Sequence, residues 1–130
     1  MSKNIFIAYG HHNSKNSFNA AIRDTFIDEA KKCGYSIDLI NLHEEKQLNF
    51  FDGSPPNEQV LDYRKRLEKC DVMFLVSPCY NLRASAILEN WIDLVLAPKW
   101  FFTFKRVYGN WGYPVAGVMK NKLAIMSMSY

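Results

Sequence analysis

Few of the features that announce a function are present in this sequence. Its three cysteines, Cys33, Cys70 and Cys79, are an odd number at wide spacing, with no CxxC pair and no histidine partnered for a zinc site. That excludes a disulfide framework or a zinc finger and leaves reduced thiols. Charge of one sign is also lacking: 16 Lys and Arg stand against 13 Asp and Glu, a formal +3, in short clusters such as Lys31-Lys32 and Arg64-Lys65-Arg66. Such clusters suit a solvated face. Without a basic stripe, an RNP motif or a long basic arm, nucleic-acid binding is excluded, whereas small anionic ligands are not. No stretch approaches the roughly 18 apolar residues of a membrane span. The N-terminus runs straight into a strand without a basic and apolar leader, so a cytoplasmic protein with no membrane insertion is expected. Repeats and low-complexity tracts are absent.

What is there is the composition of a globular protein, 48% hydrophobic and 22% charged over 130 residues. That length buries one core and is too short for two ordinary domains, so residues 1–130 are expected to form one domain. The 15% aromatic share is high. It suits either core packing or a pocket for flat rings.

Ile5 to Tyr9 is apolar on both faces and ends at Gly10, which predicts a strand covered on both sides. The period then changes. Phe18, Ile22, Phe26 and Ala30, with Ala21 beside them, predict a helix closing with Lys31 and Lys32 before Gly34. Tyr35 to Leu42 alternates like a second strand, completing a βαβ unit whose crossover makes the strands parallel. His43 to Asn57 reads as a long surface connection, and Ser54 or Asn57 caps a helix through Lys69 with a face of Val60, Leu61, Arg64 and Leu67. Val72 to Ser77 is a buried strand stopped by Pro78. Ser85 to Leu96 carries a broad helical core face of Ile87, Leu88, Trp91, Ile92, Val95 and Leu96. Residues 97 to 118 read as irregular, and Lys122 to Ser129 begins another strand. The sum is a doubly wound α/β sandwich, four strands and about three helices, with ligands expected beyond the strands' carboxyl ends.

Parallel strands bring Gly10 to Asn19, Pro78 to Leu82 and Ser127 to Tyr130 onto one rim. The first loop offers helix-starting amides near Ser17 to Asn19 to a diphosphate, with His12 and Asn19 as added donors; alternatively Ser17 only caps the helix and His12 is solvated. Neither GxGxxG nor the Walker lysine pattern occurs here. Cys79, Tyr80, Asn81 and Leu82 offer amides and an aromatic wall, or form an ordinary turn. Cys79 has no paired base and is not expected to be a nucleophile.

His12 followed by Ser17-Phe18-Asn19, and the run from Pro78 through Ala86-Ile87-Leu88 to Trp91-Ile92-Asp93, resemble the flavin-dependent NAD(P)H:quinone oxidoreductases of flavodoxin-like fold. The resemblance runs from the first strand to the last residue. It implies that His12, Ser17, Phe18 and Asn19 hold the diphosphate and ribityl chain of FAD, with FMN the alternative. Pro78, Cys79, Tyr80, Asn81 and Leu82 would line one edge of the flavin ring, and Ser129 and Tyr130 would begin the loop that grips it. Trp100, Phe102 and Phe104 resemble the aromatic segment that walls the quinone pocket, often across a dimer interface, so a homodimer is implied; the rings could equally be plain packing.

Departures from the family are Asn81 for a common Trp, Arg83 for Gly, Ser85 for Pro, and Glu89-Asn90 for Lys-Gly. The family's fifth strand and last helix, with the Tyr and His that stabilise charge in hydride transfer, find no counterpart. The implied activity is ping-pong hydride transfer from NAD(P)H through flavin to a quinone or similar electrophile, with no protein residue acting as a covalent catalyst. Two other readings stand beside it: a flavin-binding ancillary subunit of a transporter or other partner, docking through Trp100-Phe101 or Trp111 to Val115, and a truncated remnant that folds by strand exchange and binds no cofactor.

Overall fold

The structure, a computed structural model, describes residues 3–115 and 117–130. The run Ile5 to Tyr9, apolar on both faces, is buried within β1 (Asn4–Tyr9). The elements that follow are α1 (Phe18–Lys32), β2 (Ser36–Asn41), α2 (Glu58–Lys69), β3 (Val72–Pro78), α3 (Ala86–Val95), β4 (Thr103–Tyr108), β5 (Trp111–Val115) and β6 (Leu123–Ser129). Four strands form a parallel sheet in the order β2-β1-β3-β6, the doubly wound sheet expected from the βαβ pattern. Tyr9 lies opposite Asn41 and Val76, and Pro78 opposite Ser129, so all four strands end on the same rim.

Residues 97 to 118, expected to be irregular, instead contain an antiparallel hairpin of β4 and β5. Every residue of β4 is exposed. A hairpin solvated on both faces needs no alternation of apolar and polar residues, and that alternation is the signal by which a sequence shows a strand.

Two cores flank the sheet. On one side α1 covers Ile5, Ile7, Tyr9, Phe74 and Val76; on the other, α2 and α3 cover Phe6, Ala8, Met73 and Leu75 with Val60, Tyr63, Leu67, Leu88, Trp91 and Val95. The face of α1 is turned by about one residue from the expected one, since Asn19, Ala20, Arg23, Ile27 and Ala30 are buried whereas Phe18 and Ala21 are exposed. Phe26 is still drawn in from the flank, its ring centroid 4.2 Å from that of Phe74. On α2 the inward residues are Val60, Tyr63 and Leu67, while Leu61 points outward. Arg64 is only half-buried because its Nε and Nη2 reach over to the carbonyls of Val95 and Leu94, at 3.1 and 2.9 Å, satisfying the end of α3. Asn57, rather than Ser54, caps α2 by accepting from the Val60 amide at 2.9 Å.

Candidate functional site at the carboxyl rim

The rim begins where β1 becomes a loop. The Gly10 amide donates to the Val76 carbonyl at 2.8 Å, and a Cβ at Gly10 would stand 2.8 Å from Ser85 Oγ and 3.0 Å from Leu88 Cβ. Only glycine lets the first loop lie so close to the start of α3. Ser85, which stands where the resembled family has Pro, uses its hydroxyl there: Oγ donates to the Gly10 carbonyl at 2.6 Å, and its amide donates to Ser77 Oγ at 2.8 Å. The first and third loops are thereby tied together through buried serines.

Loop 10–17 is shaped by Asn13. Its Oδ1 accepts from the amides of Asn16 and Lys15 at 2.8 and 3.1 Å, and its carbonyl accepts from Tyr9 Oη at 2.7 Å and Ser17 Oγ at 3.0 Å. Ser17 caps α1, its Oγ accepting from Ala20 N at 3.0 Å and its carbonyl from Ala21 N at 3.0 Å. The amides of Phe18 and Asn19 have no protein partner among the described residues. They point the positive end of a 15-residue helix at the rim, an arrangement that suits phosphate.

The structure brings several of the expected residues together. Asn19 is buried, and its Oδ1 accepts from Ser129 Oγ at 3.0 Å; the Ser129 carbonyl accepts from the Cys79 amide at 2.7 Å. A continuous chain therefore joins the first, third and last loops through Asn19, Ser129 and Cys79, with Pro78 in register opposite Ser129. Tyr80 and Arg83 exchange both backbone bonds, at 2.9 and 3.1 Å, closing a tight turn whose central residues Asn81 and Leu82 hold φ of 51° and 62°. Left-handed backbone at a leucine is strained, and Leu82 is 85% exposed on the rim. Phe18, Tyr80 and Tyr130 also stand out into solvent, as does His12.

All three histidines of the chain gather here. The rings of His11 and His12 stack at 4.3 Å, and His43, beyond the end of β2, meets His12 edge-on at 6.4 Å. Burial, and then the neighbouring imidazoles of His12 and His11, hold the His43 imidazole below its ordinary value. Among the described residues no group of three or more His, Cys, Asp or Glu side chains is placed to hold a metal ion, and no helix is long and apolar enough to cross a membrane.

Trp100, Phe102 and Phe104 are not brought to this rim as one wall. Trp100 donates from Nε1 to Glu68 at 3.1 Å, lies under Arg64, and lines a cavity of about 800 Å³ beneath the 49–57 loop. Phe102 and Phe104 meet edge-on at 5.3 Å at the foot of the hairpin, where Phe104 shares a second cavity with Arg106 and Trp111. Sequence reasoning passed over Tyr9, Asn13, Arg23 and Ser85. Arg23 carried a signal, since it falls with Asn19, Ile27 and Ala30 on one helical stripe, and a charge on such a stripe needs a partner.

The family described as flavodoxin-like fold matches residues 3–130. Among curated proteins, the chain is 25% identical over 152 residues to ribosyldihydronicotinamide dehydrogenase [quinone] of Mus musculus, covering 98% of this chain and 63% of that protein. It is 29% identical over 142 residues to an FMN-dependent NADH:quinone oxidoreductase of Clostridium perfringens, covering 99% of this chain and 69% of that protein. A solved structure from Streptococcus mutans superposes with a TM-score of 0.80 at 21% identity, covering 98% of this chain and 68% of the other. The chain thus spans less than two thirds of the mouse relative's length.

Proposed function

The chain belongs to the flavodoxin-like fold family, and on that premise we propose that it is a flavoprotein of the NAD(P)H:quinone oxidoreductase type. The observation that carries the reading is the convergence of three loops on one rim, joined from Asn19 through Ser129 to Cys79 beside the open amides of Phe18 and Asn19. Those residues fit a flavin nucleotide. The α1 amides and dipole suit its phosphate, the buried carboxamide of Asn19 fixes the depth of the mouth, and the Tyr80–Arg83 turn offers backbone and an aromatic face to a flat ring.

The chemistry such a cofactor supplies is two-electron hydride exchange between NAD(P)H and a quinone or similar electrophile; the protein's share is to hold, orient and shield it. Phe102 and Phe104, and Trp100 if a partner subunit presents it, are the aromatic residues offered to the substrate ring in a homodimer. The name of the Clostridium perfringens relative supports FMN, and the breadth of the Gly10 to Asn19 loop supports FAD. Use of NAD(P)H and free thiols at Cys33, Cys70 and Cys79 support a cytoplasmic location.

Titrating the 130-residue chain with FMN and with FAD, followed by NAD(P)H oxidation with a soluble quinone, tests the reading. Saturable uptake of one flavin with quinone-dependent turnover is expected. Absence of uptake of both flavins would reject it. A second reading, a flavin-binding ancillary subunit, is favoured by the solvated β4–β5 hairpin with Tyr108 and Trp111 exposed. Flavin uptake without soluble-quinone turnover would select it.

A further inference from the structure

We infer that Arg23 is a positioning residue for the phosphate mouth, acting with Tyr9 as a brace that holds loop 10–17 in its ligand-ready shape before any ligand arrives. The inference rests on the flavin-nucleotide reading of that mouth and concerns residues that lie behind it.

Arg23 is 6% exposed, an expensive place for a guanidinium unless its donors are used. They are used on three different segments. Nε donates to Asp24 at 2.7 Å, Nη1 to Asn41 Oδ1 at 3.1 Å at the end of β2, and Nη2 to the Ser14 carbonyl at 2.7 Å inside the mouth loop. The guanidinium carbon sits 4.4 Å from the ring centroid of Tyr9, a cation–π stack. Tyr9 is fully buried, and its hydroxyl is shared with the Asn13 carbonyl at 2.7 Å and Ser17 Oγ at 2.8 Å. One stacked pair thus fixes the loop at Asn13, Ser14 and the helix cap Ser17, the residues that set where the open amides of Phe18 and Asn19 point.

The electrostatics agree. Among the described residues the carboxylate in direct contact with Arg23 is Asp24, whose side chain is 55% exposed and so screened by water, while Glu44, held by Asn41 at 3.1 Å, is a second, exposed carboxylate that feels the cation. A pre-shaped loop is spared the ordering cost that a slack loop meets on binding. The gain falls on the phosphate of the ligand and not on its ring, because, apart from the bond to Asp24 on its own helix, every bond of the brace goes to the 13–17 segment or to β2. Arg23 therefore sets discrimination between a phosphorylated flavin and its unphosphorylated counterpart.

The test compares FMN with riboflavin by quenching of flavin fluorescence on the wild-type chain, Arg23→Met, Arg23→Lys and Tyr9→Phe. Arg23→Met is expected to lose roughly tenfold or more in FMN affinity, the scale of one charge-assisted hydrogen bond, with riboflavin affinity unchanged; Arg23→Lys recovers part of the loss. Tyr9→Phe, which keeps the stack and removes the hydroxyl, loses severalfold for FMN alone. Equal losses for both flavins, or no loss for FMN, overturn the brace. If Arg23→Met does not fold, Tyr9→Phe carries the comparison. A wild-type chain that binds neither flavin rejects the cofactor reading, and the brace is then judged by amide exchange: faster exchange at Asn16 and Ala20, whose amides are held by Asn13 and Ser17, in Tyr9→Phe supports it, and unchanged exchange overturns it.

Discussion

Leu82 holds a φ of 62° with its side chain 85% exposed, so neither packing nor a hydrogen bond of its own rewards the strain. For an L-residue with a Cβ, left-handed backbone costs about 1–2 kcal/mol. Glycine would remove that cost but lose about 0.4–1 kcal/mol to the greater freedom of the unfolded chain. Leu82→Gly is therefore expected to stabilise the protein by roughly 0.5–1 kcal/mol, read as a higher denaturant midpoint with an unchanged slope. A strained residue kept at a rim is the pattern of a position selected for what it touches; if Leu82 bears on a ligand, the same substitution weakens flavin binding while stability rises. A second residue-scale expectation concerns His43. Its folded-state pKa lies below the ordinary 6.5, so the unfolded chain takes up its proton first and stability falls as pH drops through 6.5. Because His12 supplies part of that depression, His12→Gln should move the His43 imidazole back toward 6.5 in an NMR titration. A value that stays put would assign the effect to burial and His11 without His12.

Among the elements, α1 does two jobs, covering one face of the sheet and presenting its first amides to the rim. Ser17 couples them. Its hydroxyl caps Ala20 N and also meets Tyr9 Oη and the Asn13 carbonyl. Loss of an N-cap costs about 1 kcal/mol, so Ser17→Ala is expected to lower stability by that amount or somewhat more, checked by thermal denaturation. A loss of less than about 0.3 kcal/mol would mean that water replaces the hydroxyl. The parallel strands and their helices were legible in the sequence because burial on one or both faces imposes a period, as in Ile5 to Tyr9 and in Leu88, Trp91 and Val95. Pro78 and Gly10 marked the rim for related reasons, one ending a ladder and the other allowing close approach. The hairpin of β4 and β5 was not legible, since all its strand residues except the half-buried Val115 are exposed and so impose no period. Nor was the brace behind the mouth: Arg23 and Tyr9 are 14 positions apart, and only the fold stacks one on the other.

At the scale of the whole molecule, β6 has one neighbour, β3, among the described residues, so a row of backbone donors and acceptors along its outer side faces away from the sheet. Edges of this kind are usually blunted by charge or proline. Leu123 to Ser129 contains neither, and Leu123 and Met126 are 55% and 45% exposed. Apolar, uncharged and seven residues long, such an edge is a template for a second copy. Self-association of the chain is therefore expected in light scattering across a concentration series. Met126→Lys places a charge in the middle of the edge, where pairing would bury it, and should raise the dissociation constant roughly tenfold or more, about 1.4 kcal/mol. Flavin uptake need not change in step, because Met126 lies three residues before Ser129 and outside the chain of bonds that joins the rim. A wild-type chain that stays monomeric at high concentration would remove this edge as a site of assembly.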